Sequence, residues 1–290
     1  MEPRIVVGVD PSAAGGSALR WALRDACVRQ LPVTALRAWM PSAVFGYGAA
    51  GMLMSGGDAL EAETLAAEQL ALAREAVAGS GALTTRSEAV LGSPAEVLLA
   101  RTDAELLVVG TRGAGTLSRL VLGSVSSAVL HHATTVVVVV VPELPEPIGP
   151  PERVLVGYDH SPSALAAVRF AADHARRHGA ALVPVHVREQ LWVEGAAGDR
   201  VEDPLAARQL LQDPSLRAAL DTAGLDLDDV HPQVVPGQAA DRLTSMVTPR
   251  DVLVLGARGQ RGFARLLLGS TSTQCAQHAV CPVVVVRARP

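Results

Sequence analysis

Leu106-Leu107-Val108-Val109-Gly110-Thr111-Arg112-Gly113 is followed, after nine intervening residues, by Gly123-Ser124. The pattern returns as Val252-Leu253-Val254-Leu255-Gly256-Ala257-Arg258-Gly259 with Gly269-Ser270 at the same interval. Each copy is a short apolar run, a glycine turn and then a helix-like segment (Ser-Val-Ser-Ser-Ala-Val-Leu after Gly123) that leads to a run of valines. A continuous apolar run bounded by glycine reads as a parallel strand buried on both faces. A glycine turn between such a strand and a helix start lets backbone approach an anion, because no Cβ intervenes and the first helical amides point outward. The alternative is that the glycines only make turns; two copies at one spacing favour the anion reading.

Working outward, Arg4-Ile-Val-Val-Gly8-Val-Asp10-Pro-Ser12 is matched by Arg153-Val-Leu-Val-Gly157-Tyr-Asp159-His-Ser161. Asp159 follows Asp10 by 149 positions, and Gly256 and Gly269 follow Gly110 and Gly123 by 146. A repeat this long is a duplicated domain rather than a short-period solenoid. The halves are expected at 1–141 and 153–290, joined by a proline-rich linker at 142–152 (Pro142, Pro145, Pro147, Pro150 and Pro151). Such a segment favours extended backbone and spans on the order of 30 Å. In the first half the pattern predicts strands at 4–9, 33–39, 84–90, 105–110 and 135–141. Helices are expected at about 15–30, 58–78, 94–102 and 124–132, and the second half repeats the series. Met40 to Gly57, with Phe45 and Tyr47, reads as a plain flexible loop, with a mobile lid or partner surface as the alternative. Alternating strands and helices imply an α/β fold with parallel sheets covered on both faces. The last strands, Thr134–Val141 and Pro282–Val286, are apolar enough that an open edge would aggregate. They are expected to pair with each other or with another chain.

Composition narrows the function. The chain has 290 residues and is 49 % hydrophobic but only 3 % aromatic, so two cores built from Ala, Val and Leu are affordable. The net charge of −4 without a basic block argues against nucleic acid. All 25 basic residues are arginine, which excludes a lysine-bearing phosphate loop and Schiff-base chemistry. Cys27, Cys275 and Cys281 have no metal-like spacing and read as reduced thiols. No signal peptide or membrane span is evident, so a cytoplasmic chain is expected.

Several residues are candidates for chemistry. Asp10 and Asp159, each at the end of a first strand, would face the crevice beyond the sheet, for a ribose or a metal on a nucleotide. Alternatively they cap the next helix, with Ser12 and Ser161 competing. Arg112 and Arg258 either contact phosphate or are solvated loop charges. His174 and His178 have helical metal spacing, but the neighbouring arginines and Gly179 read better as a helix C-terminus. No catalytic triad or nucleophile elbow occurs.

These motifs together resemble the universal stress protein family in its tandem, ATP-binding form. The likeness is carried by Gly8-Val9-Asp10, Gly110-Thr111-Arg112-Gly113, Gly123-Ser124 and their second-half equivalents. The resemblance implies two open five-stranded parallel sheets in the order 3-2-1-4-5, with the nucleotide between strands 1 and 4. Asp10 and Asp159 would meet the ribose, and the backbones of Ala38 and Val187 the adenine. Gly110, Gly113, Gly123, Ser124 and Val125 would hold phosphates, as would Gly256, Gly259, Gly269, Ser270 and Thr271. Gly8, Val9 and Thr111, with Gly157 and Tyr158, complete the two sites. ATP, with Mg as its counter-ion, is the implied cofactor, and a pseudo-dimer or homodimer through the final strands the implied assembly. The expected function is nucleotide sensing in a stress response. A slow ATPase or a protein self-phosphorylated at Ser124 or Ser126, or a scaffold without nucleotide, is the alternative. The chain departs from the family pattern at Thr134-Thr135-Val136, at Arg37 where the second half has His186, and at Pro204 and Pro214.

Overall fold

Ile5-Val6-Val7 and Leu106-Leu107-Val108-Val109 are almost wholly buried, as are Val154-Leu155-Val156 and Val252-Leu253-Val254-Leu255. Strands apolar on both faces need cover on both, and helices supply it. The computed structural model describes residues 3–41, 48–111, 122–134, 136–140, 144, 149–188, 203–259 and 268–288, with backbone alone at 48–56 and 136–140. The chain divides into two units, Met1–Glu143 and Leu144–Pro290.

The first unit runs β1 (Arg4–Gly8), α1 (Ala13–Arg29), β2 (Val33–Trp39), α2 (Gly48–Ala76), β3 (Thr85–Leu91), α3 (Pro94–Leu99), β4 (Ala104–Gly110), α4 (Ser124–His132) and β5 (Val136–Val140). Its strands lie in the order β3-β2-β1-β4-β5, all pairs parallel, with Val6 opposite Thr34 on one side and Leu107 on the other. Helices α1 and α2 touch, and so do α3 and α4, giving a layer on each face.

The second unit runs β6 (Arg153–Gly157), α5 (Pro162–His178), β7 (Ala181–Arg188), α6 (Pro204–Leu210), α7 (Pro214–Ala223), β8 (Gln233–Pro236), α8 (Ala239–Met246), β9 (Asp251–Gly256), α9 (Ser270–His278) and β10 (Val283–Val286). Its order is β8-β7-β6-β9-β10, again parallel, with Leu155 between Val183 and Leu253. Both units therefore have the 3-2-1-4-5 order expected from the resemblance. In each, the chain leaves the first strand to one side and later returns to its other side. That reversal opens a crevice beyond the carboxyl ends of β1 and β4, and of β6 and β9.

Two elements differ from the sequence expectation. Residues 48–57, read as loop, belong to α2, which starts ten residues earlier than expected. Ala, Met and Leu are strong helix formers and outweigh the glycines there. Residues 42–47, with Phe45 and Tyr47, lie outside the described residues. In the second unit the equivalent of α2 is divided. Asp203 and Asp213 each cap a helix whose first turn holds the following proline, so the chain starts a helix twice.

An ion pair recurs where the first and fourth strands of each unit begin. Arg4 meets Asp103 at 2.7 Å. Arg153 Nε and Nη2 bond both carboxylate oxygens of Asp251, at 3.0 and 2.6 Å, and Thr248 donates its amide and hydroxyl to the same carboxylate.

Candidate functional site

Gly157, Tyr158 and Asp159 leave the end of β6 beside Gly256 at the end of β9, because the two strands are hydrogen-bonded neighbours. A cavity of about 720 Å³ opens there. Its wall contains Gly157, Tyr158, Asp159, Val187, Gly256, Arg258, Gly259, Gly269, Ser270 and Thr271, so the ten expected nucleotide contacts of the second half come together, while His174 and His178 lie elsewhere on α5. His160, His186, Arg188 and Leu243 line it too.

The glycines of the loop act differently from one another. A Cβ on Gly256 would stand 2.7 Å from the main-chain carbon of Ser163, so this glycine lets the start of α5 lie against β9. Gly110 does the same for Ala14 of α1, with a nearest approach of 2.7 Å. A Cβ on Gly259 would instead stand 2.6 Å from Asp159 Oδ2, in the cavity wall. The Gly269 amide donates to the Ala257 carbonyl at 2.7 Å, and that of Gly123 to the Thr111 carbonyl at 2.7 Å. These two amides close the turns and are spent.

What remains for an anion is the helix start. Gly269 caps α9 and Gly123 caps α4, and neither cap has a side-chain hydrogen bond. The first-turn amides from Ser270 and Thr271, and from Ser124 and Val125, thus carry the positive end of each helix. Ser124 and Ser270 are exposed. Ser126 is not: it is 2 % exposed, and its hydroxyl bonds the Thr111 and Gly123 carbonyls at 2.9 and 3.1 Å. Ser272 bonds the Gly256 carbonyl in the same way at 2.7 Å. Ser126 thus braces the turn, and Ser124 is the exposed serine of the two.

The competition for helix caps is settled by the serines. Ser12 accepts from the Gly15 amide at 3.0 Å and Ser161 from the Ala164 amide at 3.1 Å. The aspartates each accept from the serine two residues on, Asp10 at 3.2 Å and Asp159 at 3.0 Å. The Ser12 hydroxyl bonds Asp10 as well. Asp159 is thereby oriented with its Oδ2 toward Gly259.

In the first unit Gly8, Val9 and Asp10 leave β1, Ala38 lies on β2, Gly110 and Thr111 end β4, and Gly123, Ser124 and Val125 start α4. Arg112 and Gly113 lie outside the described residues. Gln69 of α2 donates to the Asp10 carbonyl at 2.6 Å, tying the second helix to the end of the first strand.

The second unit makes the corresponding tie with residues the sequence did not single out together. Asp213, the cap of α7, accepts from the buried Tyr158 hydroxyl at 2.8 Å and from His160 Nδ1 at 2.7 Å, besides the Ser215 and Leu216 amides. Burial pushes the Asp213 carboxyl up, but Tyr158, the two amides and His160 together outweigh it and hold the group below the ordinary carboxylate range. Burial, then the bond to Asp213, pushes the Tyr158 hydroxyl well above its usual value. It therefore stays a neutral donor. His186 Nδ1 lies 2.9 Å from the Tyr158 carbonyl.

These residues fit a nucleotide in three respects. The uncapped helix start suits phosphate, the Gly259 cradle would be filled by any Cβ, and Asp159 offers acceptors for hydroxyl groups. Among the described residues no helix is long and apolar enough to cross a membrane.

The universal stress protein family model matches residues 1–141 and 151–287. A universal stress protein of Mycolicibacterium smegmatis is 35 % identical over 297 residues, covering 98 % of this chain and 97 % of its own. One from Mycobacterium tuberculosis is 32 % identical, covering 98 % and 96 %. Among solved structures, a universal stress protein from Archaeoglobus fulgidus aligns with a TM-score of 0.66 at 20 % identity, over 98 % of this chain and 96 % of that one.

Proposed function

The chain belongs to the universal stress protein family, and on that premise we propose that each half binds ATP at its switch point and that the protein is a regulatory sensor of adenine nucleotide in the cytoplasm. The observation that carries this reading is the convergence of ten expected contact residues on one cavity of about 720 Å³ in the second unit. A cavity of that size suits a ligand as large as a nucleotide. Ser270 and Thr271 would present amides to the phosphates, with Arg258 beside them. Asp159 would accept from the ribose, and the Val187 backbone would meet the base. In the first unit Asp10, Ala38, Gly110, Thr111, Gly113, Gly123, Ser124 and Val125 would take the same roles, with Arg112 at the phosphates. Mg would enter as the nucleotide's counter-ion. The two final strands would pair the halves or join two chains, since apolar strands at the end of a sheet order need cover.

A thermal melt with and without ATP tests the reading. At ligand a hundredfold above its dissociation constant, the stabilisation is about 2.7 kcal/mol. The Gly113→Val, Gly259→Val double variant should lose that gain while melting normally without ligand. An undiminished shift in the double variant would refute the assignment. Native mass spectrometry of gently purified protein gives the stoichiometry, and consistently ligand-free protein that ATP does not stabilise would return the chain to an interaction scaffold.

A further inference from the structure

The second unit carries two imidazoles whose tautomers are fixed by partners that only accept. A main-chain carbonyl has no proton to give, so His186 Nδ1 must hold the hydrogen in its 2.9 Å bond to the Tyr158 carbonyl. The Asp213 carboxylate imposes the same on His160 at 2.7 Å. In the neutral form of both rings Nε2 then carries the lone pair, and no described residue bonds either Nε2. The rings lie 5.3 Å apart between centroids, tilted by 65°, and both line the cavity. Two imidazoles on one tetrahedral ion, at metal–nitrogen distances of about 2.0–2.1 Å, have centroids roughly 5 Å apart. An Nδ1–H held by a carboxylate or a backbone carbonyl is the usual outer support of a metal-binding histidine. His160 is also held in the left-handed region, at φ 64°. Its first-half counterpart Pro11 is barred from that conformation by its ring, and the counterpart of His186 is Arg37.

We propose that His160 and His186 are the protein ligands, through Nε2, of a borderline divalent transition ion such as Zn²⁺, held at the wall of the second-unit cavity with its remaining positions open to water or an anion. Nitrogen donors select this class over Mg²⁺, which prefers oxygen. Asp213 acts as a positioning residue through His160. In the first unit the corresponding positions are Pro11 and Arg37, so the ion distinguishes the two halves. The proposal does not rest on nucleotide binding, and its test uses none.

The full chain, stripped of metal, is titrated with Zn²⁺ by calorimetry and with Co²⁺ by visible absorption. His160→Gln and His186→Gln should each weaken Zn²⁺ at least about tenfold and abolish the Co²⁺ bands, and Asp213→Asn should weaken Zn²⁺ by about 10–100-fold. His174→Gln should change nothing; it controls for the pair His174 and His178 on α5, whose rings lie 4.3 Å apart. The His160 and His186 ring resonances should shift when Zn²⁺ is added. Binding that survives both glutamine variants, binding lost instead in His174→Gln, or ring resonances unmoved by Zn²⁺ would overturn the assignment.

Discussion

Gly259 and Asp159 are packed so closely that a Cβ on the glycine would stand 2.6 Å from the aspartate Oδ2. The contact separates two uses of glycine in one motif. At Gly256 the missing side chain makes room for main chain of α5, a requirement of the fold. At Gly259 it makes room for a carboxylate in the cavity wall, a requirement of the site. Gly256→Ala should therefore cost about 1–3 kcal/mol of unfolding free energy with or without ligand, the usual penalty of overpacking. Gly259→Ala should leave unliganded stability nearly unchanged and weaken ATP binding, because Asp159 must move aside. Paired denaturant titrations with and without ATP resolve the two; equal stability losses in both variants would count against the distinction.

Asp213 ties α7 to the end of β6, and its folded carboxyl is held below the ordinary range. A depressed carboxyl contributes stability that is present above its unfolded value, near 3.9, and is lost as pH falls through the folded value. Asp213→Asn removes the charge but keeps a good helix cap. The variant should be less stable than the parent at neutral pH, and the gap should close as pH drops below about 4. Urea midpoints taken from pH 7 to pH 2.5 measure it, and a constant gap across that range would exclude Asp213 as the titrating group.

How much of this was legible beforehand follows from what each contact depends on. The glycine spacing and the aspartates at strand ends are local patterns, and in the second unit they do meet in one cavity. Tyr158 and His160 reach Asp213 across 55 and 53 residues, and only the folded path of α7 brings them together. A signal did exist in Asp203-Pro204 and Asp213-Pro214, each an N-cap followed by a proline in the first turn. Read that way, Pro204 and Pro214, which depart from the family pattern, each start a helix. The roles of Ser126 and Ser272 were hidden for another reason: a serine at the start of a helix turns outward or inward according to the carbonyls beneath it.

The ion pairs at the strand starts predict an asymmetry between the units. The Asp251 side chain has no exposure and Arg153, itself 36 % exposed, grips both of its oxygens, whereas Arg4 and Asp103 retain 19 % and 14 % exposure. Removing Arg153 strands a carboxylate with no access to water, at about 3–5 kcal/mol, while removing Arg4 leaves Asp103 partly open to water and costs less. Arg153→Ala should therefore destabilise the protein more than Arg4→Ala. The hydrogen bonds from Thr248 place the expected loss toward the lower end of that range. Equilibrium unfolding of the two variants decides it, and equal losses would mean that burial of Asp251 does not set the cost.

The cysteines give a separate readout for each unit. Cys275 of α9 and Cys281 before β10 are fully buried. Burial, then the Asp241 charge, pushes the Cys275 thiol up to about 12. Burial also raises Cys281, with the Asp251 charge adding to it. Cys27 on α1 is only partly buried; burial raises its thiol while Arg24 pulls it back. Thiolate is the reacting form, so at pH 8 a disulfide reagent should modify Cys27 in the native protein and leave the other two untouched. Cys275 and Cys281 both belong to the second unit. Their labelling under increasing denaturant should therefore follow the opening of that unit alone, and ligand or metal bound there should delay it. Peptide mass spectrometry of pulse-labelled samples reads all three positions at once. Native labelling of Cys275 or Cys281 as fast as Cys27 would show that the helix–strand packing around them opens without global unfolding.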